Sequence, residues 1–380
     1  MASKLFKLGL GCMRFPRSKA EAERIVLNAI DGGVNYFDTA YIYPGSEKML
    51  GEILAKSGKR ADVYIGTKLP LVLCKKPEDF DDYFNKQLAR LQTDYVDYYF
   101  LHNIGGTAHW KKYCDMGIME WLEAKKHAGT IRHIGFSYHG SQGDFLEILK
   151  AYSWDFTMLQ YNYYDENYQA GRTGVEAAAA KGVEVMIMEP LLGGMLATGL
   201  PKKAQAVFSA ADARKTPAQW ALEWLWNQPA VTTVVSGMSG MQVLEQNLTT
   251  LQAFEPFSDT RDAVYADVVA EFRKAYKVNC TGCNYCLPCP LGINIPACFA
   301  AYNTRYAVGY FSGMFAYVIS TAQHREGSNS PRTCNQCGKC EKLCPQHIPI
   351  RAEFKTLLRK MEPWYMRAAF AVVRKVMSWM

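Results

Sequence analysis

Eight of the twelve cysteines in this 380-residue chain stand in two short runs near its end. Cys280, Cys283, Cys286 and Cys289 precede Pro290, and Cys334, Cys337, Cys340 and Cys344 precede Pro345. The spacings are C-x2-C-x2-C-x2-C-P and C-x2-C-x2-C-x3-C-P. The second is the run by which thiolates hold a [4Fe–4S] cluster, and the first is one residue shorter before its last cysteine. Two such runs point to single-electron chemistry, and the rest of the chain must give those electrons a use.

Structural zinc also takes C-x2-C steps, but usually as two close pairs across a long gap. Here three or four cysteines crowd each run. A disulfide framework does not suit a chain whose start, residues 1–7, lacks the apolar stretch of a secretory leader. In two-cluster ferredoxins the cysteine before proline ligates the other cluster. That rule assigns one cluster to Cys280, Cys283, Cys286 and Cys344 and another to Cys289, Cys334, Cys337 and Cys340. The shortened first run leaves the place of Cys289 open. The remaining cysteines, Cys12, Cys74, Cys114 and Cys298, read as small core residues.

With 49% apolar residues the composition is that of a water-soluble globular protein of two domains, and the expected compartment is the cytoplasm. Charge is uneven. From Lys277 onward there are 13 Lys and Arg against four acids, a net +9, which leaves −2 for the residues before. A basic electron-transfer domain suits an acidic carrier such as a small ferredoxin or flavodoxin. Nucleic acid is not expected, because the basic residues form no recognisable binding motif.

The elements that must position a site are legible as alternating patterns. Short apolar runs at 8–12, 34–37, 63–66, 95–101, 131–136, 156–159, 183–188 and 231–235 read as strands. Helical periodicity follows at 19–30, 46–55, 77–90, 117–127, 143–151, 171–181, 217–226 and 241–251. Eight strand–helix units in about 250 residues predict a (β/α)8 barrel, which carries its chemistry at the C-terminal ends of the strands. We expect this α/β barrel over 1–257 and a small, mainly helical ferredoxin-like dicluster domain over 258–380. Helices are expected at 259–276, 295–323 and 350–380, the last interrupted at Pro363. That last stretch combines Trp364, Tyr365, Phe370 and Trp379 with Arg367, Arg374 and Lys375. Packing on the protein or a second subunit is the favoured reading, and contact with a membrane surface is the alternative.

Four groups fall at ends of expected strands: Asp38, Tyr43 just beyond it, Lys68 and His102. Around them the chain resembles the aldo-keto reductase family over roughly residues 5–255. The matching signatures are Phe37-Asp38-Thr39-Ala40 with Tyr43, Ser46-Glu47 with Leu50-Gly51, the run 129–137, Gln160-Tyr161-Asn162 and Glu189-Pro190-Leu191. The whole chain is similar to the branch of that family carrying a C-terminal [4Fe–4S] domain. The resemblance implies that Tyr43 gives its proton to a carbonyl oxygen as hydride reaches the carbon. A nearby Lys68 ammonium should favour the phenolate. Asp38 would hold Lys68, and His102 would orient the carbonyl.

The resemblance also implies nicotinamide contacts. Ser137 and Gln160 would hold the carboxamide, and the loop Ser236, Gly237 and Met238 would take phosphates at a helix N-terminus. Glu245 and Asn247 match positions near the adenine. The family's Asn after that Ser is Tyr138 here, and the aromatic that often stacks on the nicotinamide, just before Glu189, Pro190 and Leu191, is Met188. The phosphate loop lacks a Lys or Arg for a 2′-phosphate, so NADH stays open beside NADPH. A nicotinamide moves two electrons and a cluster one, so a flavin (FMN) in the barrel is a further expectation. A scaffold barrel in a pure electron carrier is the non-enzymatic alternative. The substrate is expected to be a small carbonyl compound. Residues 102–115, with His109, Trp110 and Tyr113, and residues 161–168 either line its pocket or pack as surface aromatics. The family's C-terminal substrate loop is replaced by the cluster domain, which is expected to cap the barrel mouth.

Overall fold

The computed structural model describes residues 5–16, 18–257, 261–322 and 330–363. The strands are β1 (Leu8–Gly11), β2 (Tyr36–Asp38), β3 (Tyr64–Leu69), β4 (Val96–Ile104), β5 (Ile131–Tyr138), β6 (Phe156–Gln160), β7 (Glu184–Met188) and β8 (Thr233–Ser236). The helices begin with α1 (Lys19–Asp31), α2 (Ser46–Ser57), α3 (Glu78–Leu91), α4 (Thr107–Cys114), α5 (Ile118–His127), α6 (Gln142–Ala151), α7 (Gly171–Ala180) and α8 (Lys202–Ala211). They continue with α9 (Pro217–Trp226), α10 (Met241–Gln252), α11 (Asp262–Ala275), α12 (Ile295–Ala307), α13 (Tyr310–Ala322), α14 (Lys339–Lys342) and α15 (Ile350–Met361). The chain forms two compact units: residues 1–191 with 219–258, and residues 192–218 with 259–380.

The first unit is a closed barrel. All eight strands run parallel in sequence order, and β8 pairs back onto β1 through Leu8 opposite Val234. Helix starts are set by local chemistry: Ser18 accepts from the Glu21 amide to open α1, and Ser141 does the same for Asp144 in α6. Alternation along each strand sends every second side chain inward. Tyr36 and Asp38 therefore share the interior with Lys68, Tyr98, Phe100 and His102. The registers Gly66 opposite Tyr98 and Lys68 opposite Phe100 stack these residues in levels. Tyr36 takes its place only because Gly66 has no side chain, since a Cβ there would lie 2.2 Å from the Tyr36 hydroxyl oxygen. The expected barrel is thus present, with strand ends moved by a few residues.

Besides the one-turn α14, two helices in the chain were not expected. One is α4, in the connection after β4, which puts Trp110 against Trp154 at 5.3 Å and sends the Tyr113 hydroxyl to the Leu71 carbonyl at 2.6 Å. Those aromatics, with Tyr161 against Trp224 at 5.0 Å, are packing groups of the barrel unit. The other is α8, which packs on α11 in the second unit, Phe208 meeting Tyr265 at 5.8 Å.

The second unit is helical around a core that includes Val278, Ile293, Phe299, Tyr317, Phe354 and Leu357. The stretch expected as one helix is two, α12 and α13, because the chain breaks at Gly309, φ 148°. The buried Glu362 carboxylate gathers the Tyr317 hydroxyl at 2.8 Å, Arg332 Nε at 3.0 Å and the Ser330 hydroxyl. Helix α15 ends at Met361, and the expected continuation with Trp364, Tyr365 and Trp379 lies outside the described residues. Among the described residues no helix is long and apolar enough to cross a membrane.

Candidate functional site

The C-terminal rim of the barrel brings the four expected groups together. Asp38 ends β2, Tyr43 lies in the turn leading to α2, Lys68 is on β3 and His102 is on β4. Lys68 Nζ donates to Asp38 Oδ1 at 2.7 Å, to Asp38 Oδ2 at 2.6 Å and to the Thr39 carbonyl at 2.7 Å. The same ammonium lies 5.2 Å from the centre of the Tyr43 ring. The Tyr43 and His102 rings meet edge-on, 6.1 Å apart. Tyr36 donates from its hydroxyl to Asp38 Oδ1 at 3.3 Å.

This pair is almost out of water, with Lys68 2% and Asp38 6% exposed. Burial pushes the Asp38 carboxyl up and the Lys68 ammonium down, while their mutual attraction opposes both shifts. His102 is driven well below its ordinary value, first by burial and then by the neighbouring Lys68 and His139. Its ring is therefore neutral near pH 7 and offers hydrogen bonding without charge. The backbone bearing Lys68 is fixed from behind. Gln87 Nε2 donates to the Lys68 carbonyl at 3.1 Å and to Glu47 Oε1 at 2.8 Å, and Thr67 donates to Glu47 at 2.7 Å. His102 lies where the β4–β5 register shifts, between Leu101 and Ile104, with Asn103 in the left-handed region at φ 60°. Such irregularities re-aim side chains at functional rims.

The expected cofactor residues continue around the rim. Ser137, on β5, accepts the Asn103 amide at 2.8 Å. Gln160 ends β6 and donates to Asp165 Oδ2 at 2.6 Å. Met188 ends β7 and packs against the barrel interior. It is followed by Glu189 at φ 54°, whose carbonyl accepts from Asn162 Nδ2 at 3.1 Å, then by buried Pro190 and half-buried Leu191. Ser236 ends β8 and accepts from Asn247 Nδ2 of α10 at 3.3 Å. Gly237 is exposed with open space where a Cβ would stand, and Met238 is buried. Along α10, Asn247 faces inward and Glu245 faces solvent.

Tyr138 is not part of this surface. It sits on the outer side of β5 against Phe145 at 5.2 Å, and its hydroxyl donates to the Ser141 carbonyl at 2.7 Å. Its departure from the family's Asn is a matter of helix packing and carries no argument for a different cofactor. Sequence reasoning missed His139, Asp165 and Gln169, which the structure links to Gln160. They are scattered over thirty positions without a periodic spacing.

In the second unit the thiols ring two cavities. One is lined by Cys280, Cys283, Cys286 and Cys344 with Ile295, Phe299 and Ile348. The other is lined by Cys289, Cys334, Cys337 and Cys340, with Cys286 on its edge and Ile293, Leu343 and Phe354 around it. Each cavity so draws a cysteine from the other run. Among the described residues no three His, Cys, Asp or Glu groups converge on a single-ion point. Burial and the neighbouring sulfurs push the Cys286 thiol up to about 12. The Cys344 sulfur is also met by the backbone N–H groups of Gln346, His347 and Ile348, the kind of hydrogen bonding that tunes cluster sulfurs.

Comparison with known proteins agrees with both halves. The aldo/keto reductase family model matches residues 7–262, and a 4Fe-4S dicluster domain model matches residues 279–369. The oxidoreductase YqkF of Bacillus subtilis is 26% identical over 305 residues, 71% of this chain and 95% of that protein. The aldo-keto reductase yakc [NADP(+)] of Schizosaccharomyces pombe is 23% identical over 291 residues, 64% of this chain and 83% of that protein. The holo form of aldo-keto reductase AKR11C1 from Bacillus halodurans superposes with a TM-score of 0.59 at 25% identity, covering 69% of this chain and 91% of that one. With its parallel eight-stranded barrel, its rim of Asp38, Tyr43, Lys68 and His102, and a family match over most of its length, this chain belongs to the aldo/keto reductase family and carries a C-terminal 4Fe-4S dicluster domain.

Proposed function

We propose that this chain is an iron–sulfur reductase of small carbonyl compounds in which Tyr43 donates the proton. The observation that carries this is the buried Lys68 ammonium, held by Asp38 and Thr39 and lying 5.2 Å from the Tyr43 ring. A fixed cation beside a phenol stabilises the phenolate left after proton transfer. A neutral His102 edge-on to Tyr43 suits the orienting of a carbonyl oxygen without competing for the proton. Asp38 keeps Lys68 charged, and the Glu47–Gln87 network keeps its backbone in place.

The rim fits a nicotinamide. Ser137 has an O–H left to donate while its oxygen accepts from Asn103. Ser137 and Gln160 would hold the carboxamide, and Met188, Glu189, Pro190 and Leu191 would border the ring. Residues 236–240, at the start of α10, would take the phosphates on backbone N–H groups, with Asn247 and Glu245 towards the adenine. The nicotinamide supplies hydride when bound. One relative carries NADP(+) in its name, yet residues 236–240 here hold no Lys or Arg. We therefore propose that NADH serves as well as NADPH, and kcat/KM with each measures it.

The donor set fits two [4Fe–4S] clusters: soft thiolates in apolar-walled cavities. Cys280, Cys283, Cys286 and Cys344 would hold one, and Cys289, Cys334, Cys337 and Cys340 the other. Bound clusters supply single-electron exchange, and the basic C-terminal stretch suits an acidic ferredoxin or flavodoxin as the carrier. Reduction of the clusters by such a carrier should slow as salt rises; salt-independent rates count against it.

The deciding experiment is Tyr43→Phe in the anaerobically purified chain. Loss of a positioned acid lowers kcat by about 10²- to 10⁴-fold while nicotinamide binding, followed by fluorescence quenching, is retained. Carbonyl reduction at the wild-type rate would end the proposal.

A further inference from the structure

One hydroxyl in the barrel interior touches the buried ion pair and has no part in the mechanism above. Tyr36 is fully buried, and its O–H donates to Asp38 Oδ1 at 3.3 Å. The barrel clears space for it on both neighbouring strands. On β1, a Cβ at Gly9 would lie 2.9 Å from Tyr36 Cδ1, so that glycine makes room for the ring. On β3, the atom that a Cβ at Gly66 would meet first is the Tyr36 hydroxyl oxygen, at 2.2 Å. Tyr98 meets the ring edge-on at 5.6 Å. The phenol is thus held in one place, with its oxygen against Asp38.

The hydrogen bonds around the pair are unevenly shared. Lys68 has three N–H groups, and they go to Asp38 Oδ1, Asp38 Oδ2 and the Thr39 carbonyl at 2.6–2.7 Å. Among the described residues Lys68 donates to nothing else, so its ammonium acts on Tyr43 through space, 5.2 Å from the ring centre. Asp38 Oδ1 accepts from both Lys68 and Tyr36, whereas Oδ2 accepts from Lys68 alone. Carboxylate charge engaged by the Tyr36 O–H is withdrawn from the hold on Lys68. More of the ammonium's field is then left for the phenolate that forms on Tyr43. The 3.3 Å bond has slack, and long hydrogen bonds at catalytic sites tighten as the reacting complex forms.

Tyr36 keeps its proton throughout. Burial first, then the charge of Asp38 and the neighbouring Tyr98, push its hydroxyl well above the ordinary phenol range. The other ionisable groups that act on the pair are Cys12 just past β1, Glu47 on α2 and His102 on β4. Burial pushes the Cys12 thiol and the Tyr98 phenol up and the His102 imidazole down, and Glu47 is engaged by Arg90 at 3.0 Å. Among the described residues only Asp38 accepts from the Tyr36 hydroxyl.

We propose that Tyr36 is a positioning residue for the proton donation: by engaging Asp38 Oδ1 it loosens the grip of Asp38 on Lys68 and leaves the ammonium to stabilise the Tyr43 phenolate. The inference rests on the reading of Tyr43 as the acid and adds a residue below the four at the rim.

The test is Tyr36→Phe in the anaerobic full-length chain, assayed with 4-nitrobenzaldehyde and NADH or NADPH as a function of pH. The kcat falls about tenfold, the size expected when a hydrogen bond to a charged group is lost, while KM for the aldehyde stays within about twofold. The alkaline limb of kcat moves up by about one unit. Tyr43 and Lys68 titrate as a pair, and a firmer grip from Asp38 holds the pair's protons to higher pH. Gly66→Ala drives the hydroxyl off Asp38 and moves the limb in the same direction; adding it to Tyr36→Phe moves the limb no further. A residue that only fills space would lower kcat and disturb KM without moving the limb. A second measurement needs no turnover. In protein labelled with ¹⁵N-lysine, the Lys68 ammonium protons, assigned by their loss in Lys68→Met, move downfield in Tyr36→Phe as their bonds to Asp38 shorten. An alkaline limb that stays or moves down in Tyr36→Phe, or ammonium protons that do not move, overturns the proposal. Tyr43→Phe with full activity, or a wild type inert towards the aldehyde, would instead remove the acid reading and leave the ammonium shift to judge the Tyr36 contact.

Discussion

Lys68→Met is the perturbation whose consequence is most fully determined by the geometry. Wild-type Lys68 makes two contacts of 2.6–2.7 Å to Asp38 and one of 2.7 Å to the Thr39 carbonyl, all in a nearly water-free interior. At an effective dielectric of about 20, opposite charges about 3 Å apart attract by roughly 5 kcal/mol. Much of that offsets the cost of burying both ions. Removing one partner leaves the cost without the attraction, and such losses run to about 3–5 kcal/mol. Asp38→Leu should cost a similar amount for the mirror-image reason. The double variant, Asp38→Leu with Lys68→Met, leaves no buried charge. It should cost only about 2 kcal/mol, roughly one each for the Thr39 carbonyl and Tyr36 hydroxyl that lose partners. The coupling energy is then at least about 4 kcal/mol. Urea unfolding of the anaerobic protein, followed by fluorescence of the barrel tryptophans Trp110, Trp121, Trp154, Trp220, Trp224 and Trp226, measures it. Additive single costs, or a Lys68→Met loss below about 1 kcal/mol, would refute a coupled buried pair. All three variants should lose carbonyl reduction, so stability and catalysis separate in the double variant.

Three other perturbations have equally definite outcomes. His102 stays neutral in the fold while the unfolded chain takes up a proton below about pH 6.5. Barrel stability should fall as pH drops below that value, by at most about 1.4 kcal/mol per unit for one proton, and His102→Gln should flatten the slope in pH-dependent urea midpoints. Cys344→Ala and Cys289→Ala, each from a different cavity, should each lower bound iron from about eight to about four atoms per chain; loss of the same cluster in both would reassign the ligands. Gly66→Ala puts a methyl where the Tyr36 hydroxyl lies, and should cost about 1–3 kcal/mol by overpacking. Adding Tyr36→Phe should recover part of that loss in the same unfolding assay.

What the sequence revealed and what it hid have physical reasons. Parallel barrel strands are buried on both faces, so they read as short apolar runs, and all eight were found within a few residues of their observed ends. Asp38, Lys68 and His102 were visible because a titratable residue at the end of such a run is out of keeping with its neighbours. The β4 strand was read as ending at Leu101, although it continues through a register shift to Ile104 that depends on its partner strand. Helix α4 was read as loop because its aromatics, Trp110 and Tyr113, are buried by distant partners, Trp154 and the Leu71 carbonyl. Tyr138 was noted only as a departure from the family's Asn, and that it faces α6 emerges from the structure. The hydrogen bonds joining His139, Gln169, Gln160 and Asp165 were invisible for the same kind of reason: they link separate segments that only the fold brings together.

Each thiol cavity is completed by a residue of the other cysteine run, Cys344 for one and Cys289 for the other. Neither nest can be filled from one run alone, so both runs must be brought together before either centre can be fully ligated.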